Sequence, residues 1–368
     1  MVLIYCTTYY HLFNAIQLKL TKLFDEKVDL VLSADTDFKD LEKSLRDSGL
    51  FNTIVLSDIS NVLWCREFAE LKERKREQWF LKKVEEGHGL PIAEKYEHLY
   101  IGLDDAYNKF LYYCISQSFG ESIPLVHIYE EGTASYVTSV SERLKNDGIP
   151  HNHFGNKSFK VAVCEILLYA PELRIIRDSY QVNTIPKIDK NDQNIKNIFN
   201  KIFYYTRFIE EKYIYFESGS FRDLKATMDT DILEMIANIV GKENIVVKLH
   251  PRTKNDRFTR RGYKVMPKES VPWEIYMLNE DFENKVFISN SSTTALTAKT
   301  IFDISVPIIN LFKLDLLEET LYTRQNSFPA VYGMQEKIFN ESRKCFFAPE
   351  NEKELGRIIN YLERENFL

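Results

Sequence analysis

The sequence predicts an α/β protein of two Rossmann-like halves facing a central cleft. Three observations predict it. Short apolar runs alternate with segments of helical period from the first residue onward. The chain has 368 residues, enough for two cores at roughly 100–200 residues per domain. Between Val182 and Asn200 the composition shifts to Asn, Asp, Lys, Gln and Pro, which separates one alternating series from a second.

In chain order, residues 1–7 form an apolar run and 9–24 carry Leu12, Ala15, Ile16, Leu18, Leu20 and Leu23 near helical spacing. A strand at 28–32, a helix at 38–48 and a strand at 52–56 follow, so a parallel sheet is the economical reading. Residues 67–86 are heavily charged, with Phe68, Leu71, Trp79, Phe80, Leu81 and Val84 as apolar members. They predict a helix with one solvated face, or a basic patch for an anionic glycan or the inner membrane leaflet. Next come a strand at 98–101, a helix at 105–118 and a strand at 124–129.

The second series reads as strand 213–217, helix 229–239, strand 244–249, helix 272–278, strand 285–288, helix 293–301 and strand 307–311. The expected division is a first Rossmann-like domain at 1–185, a linker at 186–204, a second Rossmann-like domain at 205–350 and a C-terminal helix at 351–368. That last segment has Leu355, Ile358, Ile359 and Leu362 on one side and is expected near the domain junction.

Composition excludes several classes. With 48 basic against 54 acidic residues, net −6, there is no global positive field to collect nucleic acid. Apolar residues make up 44% and charged ones 28%, with 13 Gly and 11 Pro, the balance of a folded chain rather than a fibrous one. The apolar run 161–168 is interrupted by Glu165 and falls far short of the ~20 residues a bilayer demands. The first residues lack the pattern of a signal peptide, so the expected location is the cytoplasm, including the inner face of the membrane. Five widely spaced cysteines, without a C-x-x-C pair, predict neither disulfides nor structural zinc. The 21 Tyr and 25 Phe suit core packing and stacking on sugar rings.

Four places carry candidate chemistry. The apolar strand 125–129 ends in Glu130-Glu131-Gly132, delivering adjacent carboxylates to the edge where open α/β sheets bind ligands. Carboxylates in a desolvated cleft raise one another's pKa and prepare one as a base; Gly132 permits a sharp turn. The strand 244–249 ends in His250-Pro251-Arg252, where proline holds the histidine extended and the imidazole suits a departing phosphate. Ser291, Ser292, Thr293 and Thr294 stand where a strand passes into a helix, an N-terminus suited both to capping and to phosphate. Glu274, in Pro272-Trp273-Glu274, heads a helix, either as a dipole-matched acid or as an acceptor for ribose hydroxyls.

In identity, order and spacing, Glu-Glu-Gly at 130–132, His-Pro at 250–251, Pro-Trp-Glu at 272–274 and Ser-Ser at 291–292 resemble the motifs of bacterial sialyltransferases. These are the lipooligosaccharide and capsule enzymes of glycosyltransferase family 52, with their polysialyltransferase and marine-type relatives. The segment Tyr9 to Ala15, Tyr-Tyr-His-Leu-Phe-Asn-Ala, is similar to that family's opening. The resemblance implies a GT-B fold, a CMP-sialic acid donor, inversion at the anomeric carbon and no metal. It implies a carboxylate of Glu130-Glu131 as base, His250 as acid or phosphate partner, Ser291 and Ser292 on the phosphate, and Glu274 on the cytidine ribose. Gly132, Pro251 and Thr293 complete the donor-side set, and Tyr9, Tyr10 and His11 are where acceptor contacts are expected. Many relatives carry Asp in the acidic motif; Glu at both positions lengthens the reach and leaves open which is the base.

The chemistry agrees. Glycosyl transfer must deprotonate a sugar hydroxyl and neutralise a departing phosphate. CMP leaves with a single phosphate, whose charge His250, a helix N-terminus and Lys248 or Arg252 would offset. Expected partners are the nucleotide-sugar donor and an oligosaccharide acceptor, with inner-membrane contact and a homodimer as further expectations. The competing readings are a UDP-hexose transferase of the same fold and a non-catalytic glycan-binding or capsule-assembly protein.

Overall fold

The structure, a computed structural model, describes residues 1–59, 63, 70–86, 95–117, 122–145, 156–205, 208–217, 228–251, 253, 255–267, 270–290, 292–314, 333–334, 337–338 and 345–364. The N-terminal half runs β1 (Val2–Cys6), α1 (Tyr9–Leu20), β2 (Val28–Ser33), α2 (Lys39–Ser48), β3 (Thr53–Ser57), α3 (Glu73–Glu86), β4 (His98–Ile101), α4 (Ala106–Ser116), β5 (Leu125–Tyr129), β6 (Val163–Leu168) and β7 (Gln181–Thr184). Its strands form one parallel sheet in the order β3-β2-β1-β4-β5-β6-β7. Strands β1 and β2 are buried along their whole length, as parallel strands are when helices cover both sheet faces.

Local chemistry sets the helix ends. Thr8 caps α1, its hydroxyl accepting from the His11 N–H at 3.1 Å, and Asp105 caps α4 by accepting from the Asn108 N–H at 2.9 Å. Gly49 ends α2 in the left-handed region at φ 67°.

After α5 (Gln193–Phe203) the second half runs β8 (Tyr213–Phe216), α6 (Met228–Val240), β9 (Ile245–Lys248), β10 (Lys264–Val265), α7 (Trp273–Asn279), β11 (Val286–Ser289), α8 (Thr293–Thr300), β12 (Ile308–Asn310), β13 (Phe346–Phe347) and α9 (Glu352–Arg364). This sheet too is parallel, in the order β10-β9-β8-β11-β12-β13. Strand order reverses between β1 and β4 in the first sheet and between β8 and β11 in the second. Crevices outside the carboxyl ends of the strands at such points are the binding positions of doubly wound folds.

Two expectations need correction. The segment expected as a linker contains α5, capped by Asp192, which accepts from the Asn194 N–H at 2.9 Å. This helix packs against both halves. Phe199 stacks on Phe13 of α1 at 4.7 Å, Ser44 of α2 donates to the Ile202 carbonyl at 2.8 Å, and the side-chain amides of Asn200 and Asn279 of α7 exchange hydrogen bonds of 2.7 and 2.6 Å. Each buried phenylalanine contributes roughly 1.5–3 kcal/mol here. The C-terminal helix, expected at the junction, instead packs on α6 and on the start of β8, where the Tyr213 hydroxyl donates to Glu363 and Lys212 Nζ lies 2.9 Å from it.

Among the described residues no helix is long and apolar enough to cross a membrane. The described cysteines, Cys6, Cys114, Cys164 and Cys345, are free thiols.

Candidate functional site

The first crevice gathers the ends of β1, β4 and β5. Glu130 and Glu131 leave β5 side by side yet have opposite fates. Glu130 is buried, and its carboxylate accepts from the Tyr10 hydroxyl at 2.9 Å, from the Tyr169 N–H at 3.0 Å and from the Tyr136 hydroxyl. Burial raises its pKa, opposed by these three donors. Its carbonyl accepts from Asn14 of α1 at 2.8 Å, while the Asn14 side-chain oxygen accepts from the Tyr169 hydroxyl at 2.9 Å. Glu130 is therefore an anchor tying α1, β5 and the end of β6 together.

Glu131 keeps a quarter of its side chain exposed, and its Oε2 stands 3.4 Å from His11 Nε2. Neither atom has a hydrogen-bond partner of good geometry among the described residues. The Thr7 N–H donates to His11 Nδ1 at 3.3 Å. An amide N–H only donates, so Nδ1 accepts and the proton of the neutral ring sits on Nε2, facing Glu131. A Cβ at Gly102 would lie 2.5 Å from Nε2, so the chain leaving β4 needs glycine for the imidazole to occupy this place. Asp105 completes the cluster; burial, opposed by the Asn108 hydrogen bonds and His11 and reinforced by the Glu131 charge, lifts its carboxyl to about 6. Gly132, at φ 109°, has a backbone conformation that L side chains rarely adopt, which aims the chain away after Glu131.

The second crevice gathers the ends of β8, β9 and β11. Lys248 closes β9, and burial lowers its ammonium pKa against the pull of Glu274. Glu274, in the first turn of α7, is buried and pushed up to about 7 by desolvation, with Lys248 and Thr297 opposing and Glu130 adding to the rise. Glu274 also raises the Tyr10 and Tyr169 hydroxyls, so the two halves face each other here. His250 is half-buried in the turn after β9. Ser292 stands at the N-cap position of α8 without a side-chain capping bond, and its N–H donates to the buried Ser289 hydroxyl at 2.8 Å. Ser291, Arg252 and the side chain of Thr293 lie outside the described residues.

The three side chains expected at the acceptor are engaged within the protein, Tyr9 and Tyr10 partly exposed and His11 buried. Tyr9 donates to the Asp37 carbonyl at 2.6 Å and lies 3.0 Å from Ser270 Oγ, bridging the halves; Tyr10 binds Glu130; and His11 is buried against Glu131. The expected coupling of Glu130 with Glu131 also gives way to an anchor beside a cleft carboxylate. Sequence reasoning missed Gly102, Asp105, Glu217, Asp229 and Arg257. Glu217 carried a usable signal: it ends an apolar strand as Glu130 does.

No protein-family model matches the chain, and no curated protein sequence does. Solved structures do. The UDP-GlcNAc 2-epimerase of Methanocaldococcus jannaschii, solved with UDP-GlcNAc and UDP, is similar at TM-score 0.50 and 12% identity, over 99% of this chain and 93% of that one. The glycotransferase of kitacinnamycin is similar at TM-score 0.51 and 12% identity, over 99% and 90%. An α/β-galactoside α-2,3-sialyltransferase from Photobacterium phosphoreum matches at TM-score 0.48 and 12% identity, over 94% and 98%, a level that supports no reading of donor or acceptor. The fold is thus the pair of facing Rossmann-like domains, GT-B-like, that glycosyltransferases and epimerases share. Because one fold serves both reactions, function must be argued from the site.

Proposed function

We propose that the protein is an inverting glycosyltransferase that moves sialic acid from CMP-sialic acid to a terminal galactose of a capsular or lipooligosaccharide glycan, without a metal. One observation carries this reading: the Glu131–His11 pair and the Lys248, His250 and Glu274 group stand at facing carboxyl edges of two sheets, with Tyr9 and Ser270 in contact between them.

In this reading Glu131 takes the proton of the acceptor hydroxyl as that oxygen bonds to the anomeric carbon, and the bond to the CMP phosphate breaks on the opposite face. The Nε2–H of His11 steadies the carboxylate in the orientation that leaves a lone pair free. His250, Lys248 and the start of α8 meet the departing phosphate. Glu274 receives the ribose hydroxyls, and peripheral contact with the inner membrane would bring the glycan acceptor within reach.

The test is CMP release from CMP-sialic acid in excess EDTA, with lactose or N-acetyllactosamine as acceptor, followed by product mass. Acceptor-dependent release and a product heavier by one sialyl unit are expected. No release on any galactoside overturns the donor assignment in favour of a UDP-hexose on the same fold.

A further inference from the structure

The turn that carries His250 is closed from beneath by a carboxylate that belongs to none of the four motifs. Glu217 directly follows β8, and its Oε2 accepts from the His250 N–H at 2.8 Å and from the Thr253 hydroxyl at 2.6 Å. The Thr253 N–H donates to the His250 carbonyl at 2.9 Å. One oxygen therefore ties both ends of a four-residue turn whose second residue, Pro251, has no N–H of its own.

Glu217 is itself held. Its Oε1 lies 2.9 Å from Arg257 Nη1, and Arg257 continues to Asp229 at the start of α6, through Nε at 3.2 Å and through Nη2. The guanidinium also lies over the Phe258 ring at 4.9 Å. Glu217 is 2% exposed and Asp229 fully buried. Two buried carboxylates sharing one guanidinium are costly to desolvate and a poor source of stability. Their value lies in fixing geometry, and β8 brings Glu217 to the point where strand order reverses.

We propose that Glu217 is a positioning residue: by holding both ends of the 250–253 turn it sets where the His250 imidazole stands in the cleft, and Arg257 with Asp229 holds Glu217 in turn. This rests on the reading of His250 as the group that meets the departing phosphate.

The test pairs Glu217→Ala with Glu217→Gln, which keeps an acceptor oxygen for the turn. Two quantities are read: hydrogen–deuterium exchange of the segment around His250, and kcat and KM for CMP release. In Glu217→Ala, exchange should rise at least tenfold and kcat fall about a hundredfold, as a misplacement near 1 Å costs, while the donor KM moves less than about threefold. Glu217→Gln should recover part of both, because its amide keeps an oxygen for the turn but sets an N–H against Arg257. Unchanged exchange in a folded Glu217→Ala overturns the proposal. So does faster exchange with an unaltered kcat, or equal losses in Ala and Gln. Should Glu217→Ala fail to fold, Thr253→Val removes one of the two donors, and the same two quantities decide. A wild-type protein that releases no CMP sinks the sialyltransferase reading alone; the exchange measurement then still decides whether Glu217 holds the turn.

Discussion

His11 Nε2 and Glu131 Oε2 stand 3.4 Å apart, both buried, facing each other without closing a well-formed hydrogen bond. Thr7 fixes the imidazole from behind and Gly102 makes room for it, so the pair is held open by its surroundings. An acceptor hydroxyl meeting such a pair finds a carboxylate that is oriented yet not saturated. Glu130, one residue away, is saturated by three donors.

That contrast separates the two carboxylates. Glu131→Gln should lower kcat by about 10²–10⁴, the range of a lost general base, with an unchanged melting temperature. Glu130→Gln should instead destabilise the fold by about 1–3 kcal/mol, because its amide sets a donor against the Tyr10, Tyr136 and Tyr169 donors. Steady-state kinetics and thermal unfolding of both variants check the assignment, and the reverse pattern would make Glu130 the base.

Gly102→Ala tests the seat of the imidazole. The new methyl would lie 2.5 Å from His11 Nε2, so the ring must move off Glu131. Turnover should fall about tenfold or more, with about 1–3 kcal/mol lost to overpacking. Wild-type turnover in a stable variant would remove His11 from the mechanism.

His250→Ala separates an enzyme from a glycan-binding module. CMP release should fall by about 10²–10⁴ while glycan affinity stays within a factor of about three. Near-normal release would end the role given to His250.

Glu274 makes stability depend on pH. Its carboxyl titrates near 4.5 when unfolded and at about 7 when folded. Between those values the folded state binds the additional proton, so stability falls as pH rises through that window. The loss reaches roughly 3 kcal/mol by pH 8, at ~1.4 kcal/mol per pKa unit. Glu274→Gln cannot ionise, so urea unfolding from pH 4.5 to 8 should show the wild type losing ground to the variant. Parallel curves would show that Glu274 titrates as an ordinary carboxylate.

Four strands of the second sheet, β8, β9, β11 and β12, were legible nearly to the residue because they are short apolar runs such as Tyr213–Phe216, whereas β10 and β13, two residues each, are too short to carry a pattern. Strands β6 and β7 were not read, since Cys164 and Glu165 interrupt one and the other is the polar edge Gln181–Thr184. Helix α5 was hidden by the polar residues around its Ile195, Ile198, Phe199, Ile202 and Phe203, which carry helical spacing once read for it. In the site, the acidic pair was visible but its division of labour was not. What makes Glu130 an anchor is the arrival of Tyr10, Tyr136 and Tyr169 from three separate segments.

The strands of one sheet lie within residues 2–184 and those of the other within 213–347, and the C-terminal helix stays with the second, so the chain passes between the sheets once. That passage does the work of a tether: it raises the effective concentration of one half around the other, while the packing around Phe13 and Phe199 does the docking. Severed ahead of Asp192, the chain should become a two-component protein whose activity at low concentration rises with the product of the two fragment concentrations.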